Sequence, residues 1–153
     1  MKITIQKDIQ KPEKTPQEWV PHPDGGKYLI ASIDRPSFQY AQNINIAEDR
    51  KVVDSGDITD EFAIESDARW VGMIGRYLIL GWDDTGIGLD WSPENAEAVC
   101  KYAATEEKPK YGNELALWVL EKSRTVQENA AKAKAEIVGK QSNTTSGALK
   151  SQD

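Results

Sequence analysis

Between Gly81 and Glu97 the chain reads GWDDTGIGLDWSPENAE, and this stretch fixes more of the fold than any other. A tryptophan-bearing segment runs into an Asp/Gly turn, passes a short apolar step and meets an abrupt helix start at Ser92-Pro93-Glu94-Asn95. The Ser92 hydroxyl can accept a free first-turn amide, Pro93 sits where no donor is missed, and Glu94 complements the positive helix end. Ala96, Val99, Cys100 and Ala103 mark the buried face of this helix, which is expected to stop near Glu107 because Pro109 follows. The stretch carries no reaction chemistry.

The remaining elements are placed around it. Lys2-Ile3-Thr4-Ile5 alternates with a period of two, which predicts a short strand, and the proline-punctuated KPEKTPQE that follows predicts a loop or arm. Trp19-Val20 leads into Pro21-His22-Pro23-Asp24-Gly25-Gly26, a hairpin turn by its composition, with Lys27 to Ile33 as the return strand. From Pro36, the residues Phe38, Ala41, Ile44 and Ala47 fall near helical spacing. A second helix, capped at Thr59 or Asp60, carries Phe62, Trp70, Val71, Ile74 and Leu78 on a broad apolar face. Gly72 and Gly75 weaken that helix locally or permit close packing, and Tyr77 to Trp82 can be read as helix or strand.

A last helix opens at Asn113 and continues through Leu115, Trp118, Val119 and Val126 into an alanine-rich stretch ending near Gly139. Such a helix would be about 38 Å long, well beyond the radius of gyration of roughly 15 Å expected for a compact domain of this size, so its far end should project. The polar end after Gly139 has little to bury and is expected to be disordered. The chain thus reads as α+β, a small N-terminal antiparallel β-hairpin or sheet followed by a helical domain with a long C-terminal helix. Residues 1–34 form the hairpin region, 35–127 the helical body, and 128–153 a projecting Ala-rich helix end and polar tail.

Composition narrows the chemistry. The net charge is −6 over 153 residues, which disfavours sequence-independent attraction to nucleic acid or anionic membrane. Residues 121–153 carry six basic and four acidic side chains, so the acidity belongs to the body. No window approaches a transmembrane span and the start lacks an apolar signal core. One cysteine, Cys100, and one histidine, His22, leave no zinc set and no nucleophile–base pair, so no catalytic, cofactor or metal site is expected. His22, between two prolines, is expected to face solvent. Asp83-Asp84-Thr85-Gly86 lacks the alternating acids and closing glutamate of a calcium loop. Among the five tryptophans, Trp70, Trp82 and Trp91 read as core, whereas Trp19 and Trp118 read as contact-surface residues. The C-terminal helix has two readings: its Ala-rich half folds back on the body as a structural helix, or the helix presents an amphipathic stripe of Leu115, Trp118, Val119 and Val126 to a partner helix, the reading favoured here.

Several of these residues together resemble the tail assembly chaperones of long-tailed bacteriophages. They are Trp82 with its Asp83-Asp84-Thr85-Gly86 turn, Leu89-Asp90-Trp91, the helix start Ser92-Pro93-Glu94-Asn95-Ala96, and the apolar Leu115-Ala116-Leu117-Trp118-Val119 helix with its Lys/Ala-rich continuation. The hairpin from Trp19 to Ile33 with Pro36-Ser37-Phe38 is similar to their N-terminal part, and the charged insert Thr105 to Tyr111 departs from the pattern. The resemblance covers most of the chain through short motifs. It implies a non-enzymatic protein that binds the tape measure protein, keeps it soluble and helps recruit the major tail protein. It further implies action in the host cytoplasm, absence from the mature virion and, in many members, a longer frameshifted form. Self-association is left open. Trp19, Leu115, Trp118, Val119 and Val126 are the expected protein-binding residues. The competing readings are a structural tail or head-completion protein retained in the virion, and a small DNA-binding regulator.

Overall fold

A computed structural model describes residues 1–5 and 14–150. Strand β1 (Gln17–Pro21) and strand β2 (Lys27–Ala31) form the expected hairpin, paired Trp19 to Leu29 and Pro21 to Lys27. Gly25 and Gly26 take φ of 109° and 74°, the left-handed region that the Asp-Gly-Gly turn needs. Helix α1 (Pro36–Ser55) starts with proline in its first turn, where a missing amide costs nothing. Helix α2 (Asp60–Leu78) is capped by the Thr59 side chain, which accepts from the Phe62 amide at 3.1 Å. Helix α3 (Pro93–Tyr102) is capped by Ser92, whose hydroxyl accepts from the Asn95 amide at 3.0 Å.

The open question at Tyr77 to Trp82 resolves as both. Helix α2 ends at Leu78 and strand β3 (Ile79–Asp83) follows at once, pairing antiparallel with β2 in a sheet of order β1-β2-β3. The switch is possible because Ile79 is extended at φ −94°, ψ 115°. Two indole bonds then fold the following loop back on the body: Trp82 Nε1 donates to the Leu89 carbonyl and Trp91 Nε1 to the Ile79 carbonyl, each at 3.0 Å.

Helix α4 (Tyr111–Lys150) closes the core. Tyr28, Ile30, Phe38, Ile74, Leu78, Ile79, Leu115, Val119 and Val126 are essentially inaccessible and form one cluster between sheet and helices. The Ile33 amide donates to the Ser123 carbonyl at 3.2 Å, and the Arg35 guanidinium donates to the Tyr77 carbonyl, tying the end of the hairpin to α4 and α2. Two close backbone approaches join the helices, α2 to α3 and α4 to α3. A β-carbon at Gly75 would lie 2.5 Å from the Ala96 carbonyl oxygen, and one at Gly112 would lie 2.1 Å from the Val99 carbonyl oxygen.

Four expectations are corrected. Lys2 to Ile5 is not a strand, and Ile3 and Ile5 stand exposed, because alternation makes a strand only where a neighbour supplies the ladder. Gln17 and Glu18, expected in the loop, join β1 because Ala31 and Ile30 pair with them. Helix α3 stops at Tyr102 rather than near Glu107. Ala103 turns extended and its carbonyl accepts from the Gly112 amide at 2.9 Å, so docking of α4 ends the helix before Pro109 can. Helix α4 begins at Tyr111 and continues through Lys150, past Gly139, since no proline follows Pro109 to break its backbone ladder. The remainder of the expected tail, residues 151–153, and the first part of the expected N-terminal arm, residues 11–13, lie outside the described residues.

Gly75→Ala should destabilise the fold by about 1–3 kcal/mol, although alanine is the better helix former, because the added methyl meets the α3 backbone. Urea unfolding midpoints for wild type and variant measure this directly.

Candidate protein-binding surface

Three of the five residues expected to bind a partner are committed to the interior. Leu115 and Val126 are 1% exposed and Val119 is 0% exposed, so the apolar stripe of α4 is covered by the body itself. Trp118 lies half-buried beneath the hairpin turn, its ring 4.5 Å from His22 and 5.7 Å from Tyr28 in edge-on geometry. Of the five, Trp19 alone is open to solvent, lying over Gly81 with Lys27 Nζ 5.1 Å from its ring. The structure therefore moves the candidate surface away from α4.

His22 is corrected as well. Its side chain is only 9% exposed, held among Tyr28, Tyr111 and Trp118, and its Nδ1 accepts the Asp24 amide at 3.1 Å. Burial pushes its pKa below the usual 6.5, partly offset by the nearby Asp24 carboxylate. Burial likewise raises the phenols of Tyr28 and Tyr111. Beside this cluster a cavity of about 710 Å³ opens between Asp24, Thr85, Ile87 and the 103–108 loop. Its one lysine, Lys108, is shared, with Nζ 3.9 Å from Asp24 and 3.6 Å from Glu114, and Glu106 and Glu107 complete an acidic rim. Cys100 is buried on α3 and its thiol is pushed up to about 12, which leaves it protonated and inert at neutral pH. Among the described residues no three His, Cys, Asp or Glu side chains are grouped to hold a metal, and no helix is long and apolar enough to cross a membrane.

A second, more apolar surface lies along α2, between α1 and α3. Helix α1 buries a single side chain fully, Phe38, which packs against Trp70 with ring centroids 6.0 Å apart. A second tie is polar: the Asp49 carboxylate accepts from Ser66 Oγ and from Arg69, each at 2.7 Å. The neighbouring stripe of α1 (Ser37, Tyr40, Ala41, Ile44 and Glu48) recurs at helical spacing and lines a groove of about 650 Å³. Met73 and Tyr77 of α2 are its apolar floor, and Arg76, held 3.6 Å from Glu94 and 3.9 Å from Glu97, forms the wall towards α3. Tyr40 is 69% exposed and Ile44 48% exposed. An apolar trough edged by paired charges has the shape and chemistry to receive one face of a helix, and holds no nucleophile–base arrangement.

Sequence reasoning missed this groove. Its signal was there: apolar residues of α1 lie off the single stripe that α2 can cover, with Tyr40 and Ile44 on one side of it and Ile46 and Val53 on the other. Comparisons with models of protein families, with curated proteins and with solved structures find no match to this chain.

Two outcomes check the geometry. Trp118→Ala should cost stability at the lower end of the roughly 3–5 kcal/mol typical of Trp→Ala, a loss visible as a lower thermal midpoint. For His22 the folded state binds fewer protons than the unfolded state, whose imidazole titrates near about 6.5. The stability it confers is therefore complete above that pH and is lost as pH falls through the depressed folded-state value. Between about pH 7.5 and about pH 5.5, urea midpoints of wild type should fall further than those of His22→Gln.

Proposed function

We propose that this chain is a non-enzymatic binder of amphipathic helices, a tail assembly chaperone that covers the tape measure protein of a long-tailed phage. The observation carrying the reading is the groove on α2, with Tyr40 and Ile44 left open on a helix that buries only Phe38 completely. A soluble chain that keeps large apolar side chains in an open trough has a use for that surface. A long helical client with repeated apolar stripes fits it, since anchors at i, i+3, i+4 and i+7 would fill the floor between Tyr40 and Tyr77.

The resemblance in the Gly81–Glu97 motif supports the same reading from a different direction. That motif is structural, since its tryptophans, its turn and its cap all bond within the body. It holds α2 and α3 at the spacing that shapes the groove. The net negative charge of the chain would keep a coated client dispersed by like-charge repulsion. Recruitment of the major tail protein, activity in the host cytoplasm and departure before the virion matures belong to the same proposal. In this reading Trp19 is a secondary contact on the outer sheet face, and α4 is scaffold.

Tyr40→Ser with Ile44→Ser should leave the thermal midpoint nearly unchanged, because both side chains are exposed already. The pair should weaken co-purification of the tape measure protein by about tenfold or more. Undiminished recovery of the complex would refute the groove as its binding site.

A further inference from the structure

The body-facing stripe of α2 runs past the edge of the body. Val71, Gly75 and Leu78 share one face of the helix and are buried. Ile64, seven residues before Val71, occupies the same face and is 69% exposed. The reason is the reach of α3. Gly72 meets Lys101 and Glu97, and Gly75 meets Ala96 and Cys100, so the two helices run antiparallel and α3 expires at Tyr102. Ala68 and Ile64 lie one and two turns further out along α2. Tyr102, the last residue of α3, is 75% exposed. The position in line with α3 is a bare shelf.

Its charge is predominantly negative, with Lys101 of α3 the cation at its inner edge. Residues 43–68, the outer half of the α1–α2 hairpin, hold eight carboxylates against Arg50 and Lys51, a net of −6 equal to that of the whole chain. Asp60, Glu61 and Asp67 stand three or four residues from Ile64 and so ring it on the helix surface. The charges of the α1–α3 groove are paired with one another, as at Arg69–Asp49 and Arg76–Glu97. Among the described residues Asp60, Glu61, Glu65 and Asp67 have no cationic partner.

We infer that the shelf is a docking site for a basic amphipathic helix, one that seats an apolar side chain on Ile64 and Ala68 with lysines or arginines among the surrounding carboxylates. The occupant would prolong the α3 layer outward along α2. This inference rests on the helix-binding reading and adds the sign of the client's charge. Single exposed ion pairs are weak, yet several carboxylates around one apolar contact discriminate partners by charge and speed their encounter. A glutamate-bearing helix of equal apolarity is repelled at the same place.

The test uses the full chain and three synthetic helical peptides with one apolar stripe, flanked by lysine, glutamate or glutamine. Fluorescence anisotropy should show the lysine peptide binding about tenfold tighter than the glutamate peptide at low salt, with the gap closing at high salt. Glu61→Lys with Asp67→Lys should reverse the order of the two charged peptides, and Ile64→Ser should weaken the lysine peptide, both with unchanged circular dichroism. Equal binding of all three peptides would overturn the inference while leaving helix binding intact. Loss of lysine-peptide binding on Tyr40→Ser/Ile44→Ser with none on Ile64→Ser would overturn it by placing the peptide in the groove. Failure of every peptide to bind would remove both readings. Sedimentation showing a dimer of the free chain that Ile64→Ser dissolves would overturn it too, giving the shelf to a second copy.

Discussion

Contact between the backbones of α2 and α3 is the constraint on which the rest of this structure depends. At Gly75 the α3 carbonyl of Ala96 takes the place a side chain would need. That approach sets Arg76 within reach of Glu94 and Glu97, and it lets α2 end where Ile79 can enter the sheet. Gly112 repeats the device, bringing the start of α4 against the last turn of α3. Two glycines that weaken their helices as isolated segments are what allow three helices to share one core.

The same packing explains why the apolar surface is distributed as it is. Sheet, α3, α4 and the second half of α2 close around Tyr28, Ile30, Ile74, Leu78 and Val119, and that core is complete without most of α1. Helix α1 and the first half of α2 then extend from the body as a pair joined mainly through Phe38–Trp70 and Asp49. The charge follows the same division, since the outer half of the pair carries as much net charge as the entire chain. The buried core lies in the body, whereas the arm leaves Tyr40, Ile44, Ile46, Val53 and Ile64 exposed.

Local chemistry was legible in the sequence and long-range coverage was not. The hairpin could be read because prolines and Asp-Gly-Gly dictate a turn whatever surrounds them. The Ser92 cap could be read for a similar reason, and both strand and helix were already visible in Tyr77 to Trp82. Periodicity announced a stripe on α4 at Leu115, Val119 and Val126 but could not say whether a partner or the body would cover it, and the body does. His22 looked exposed between its prolines because the residue that shelters it, Trp118, is remote in sequence. Ile3 and Ile5 kept a strand's alternation with no strand paired to them among the described residues.

The slender attachment of the arm has a mechanical meaning. Beyond its first turn, which Phe38 and Arg35 anchor to the body, α1 is tied to α2 through Asp49, so a slight swing of its outer part would widen or narrow the trough while the sheet and α4 stay at rest. In the proposed role, such a clamp would adapt its grip to successive segments of a long helical client whose side chains differ from turn to turn. Tolerance of imperfect repeats would then be a property of the hinge, with no need for a tailored pocket at each station.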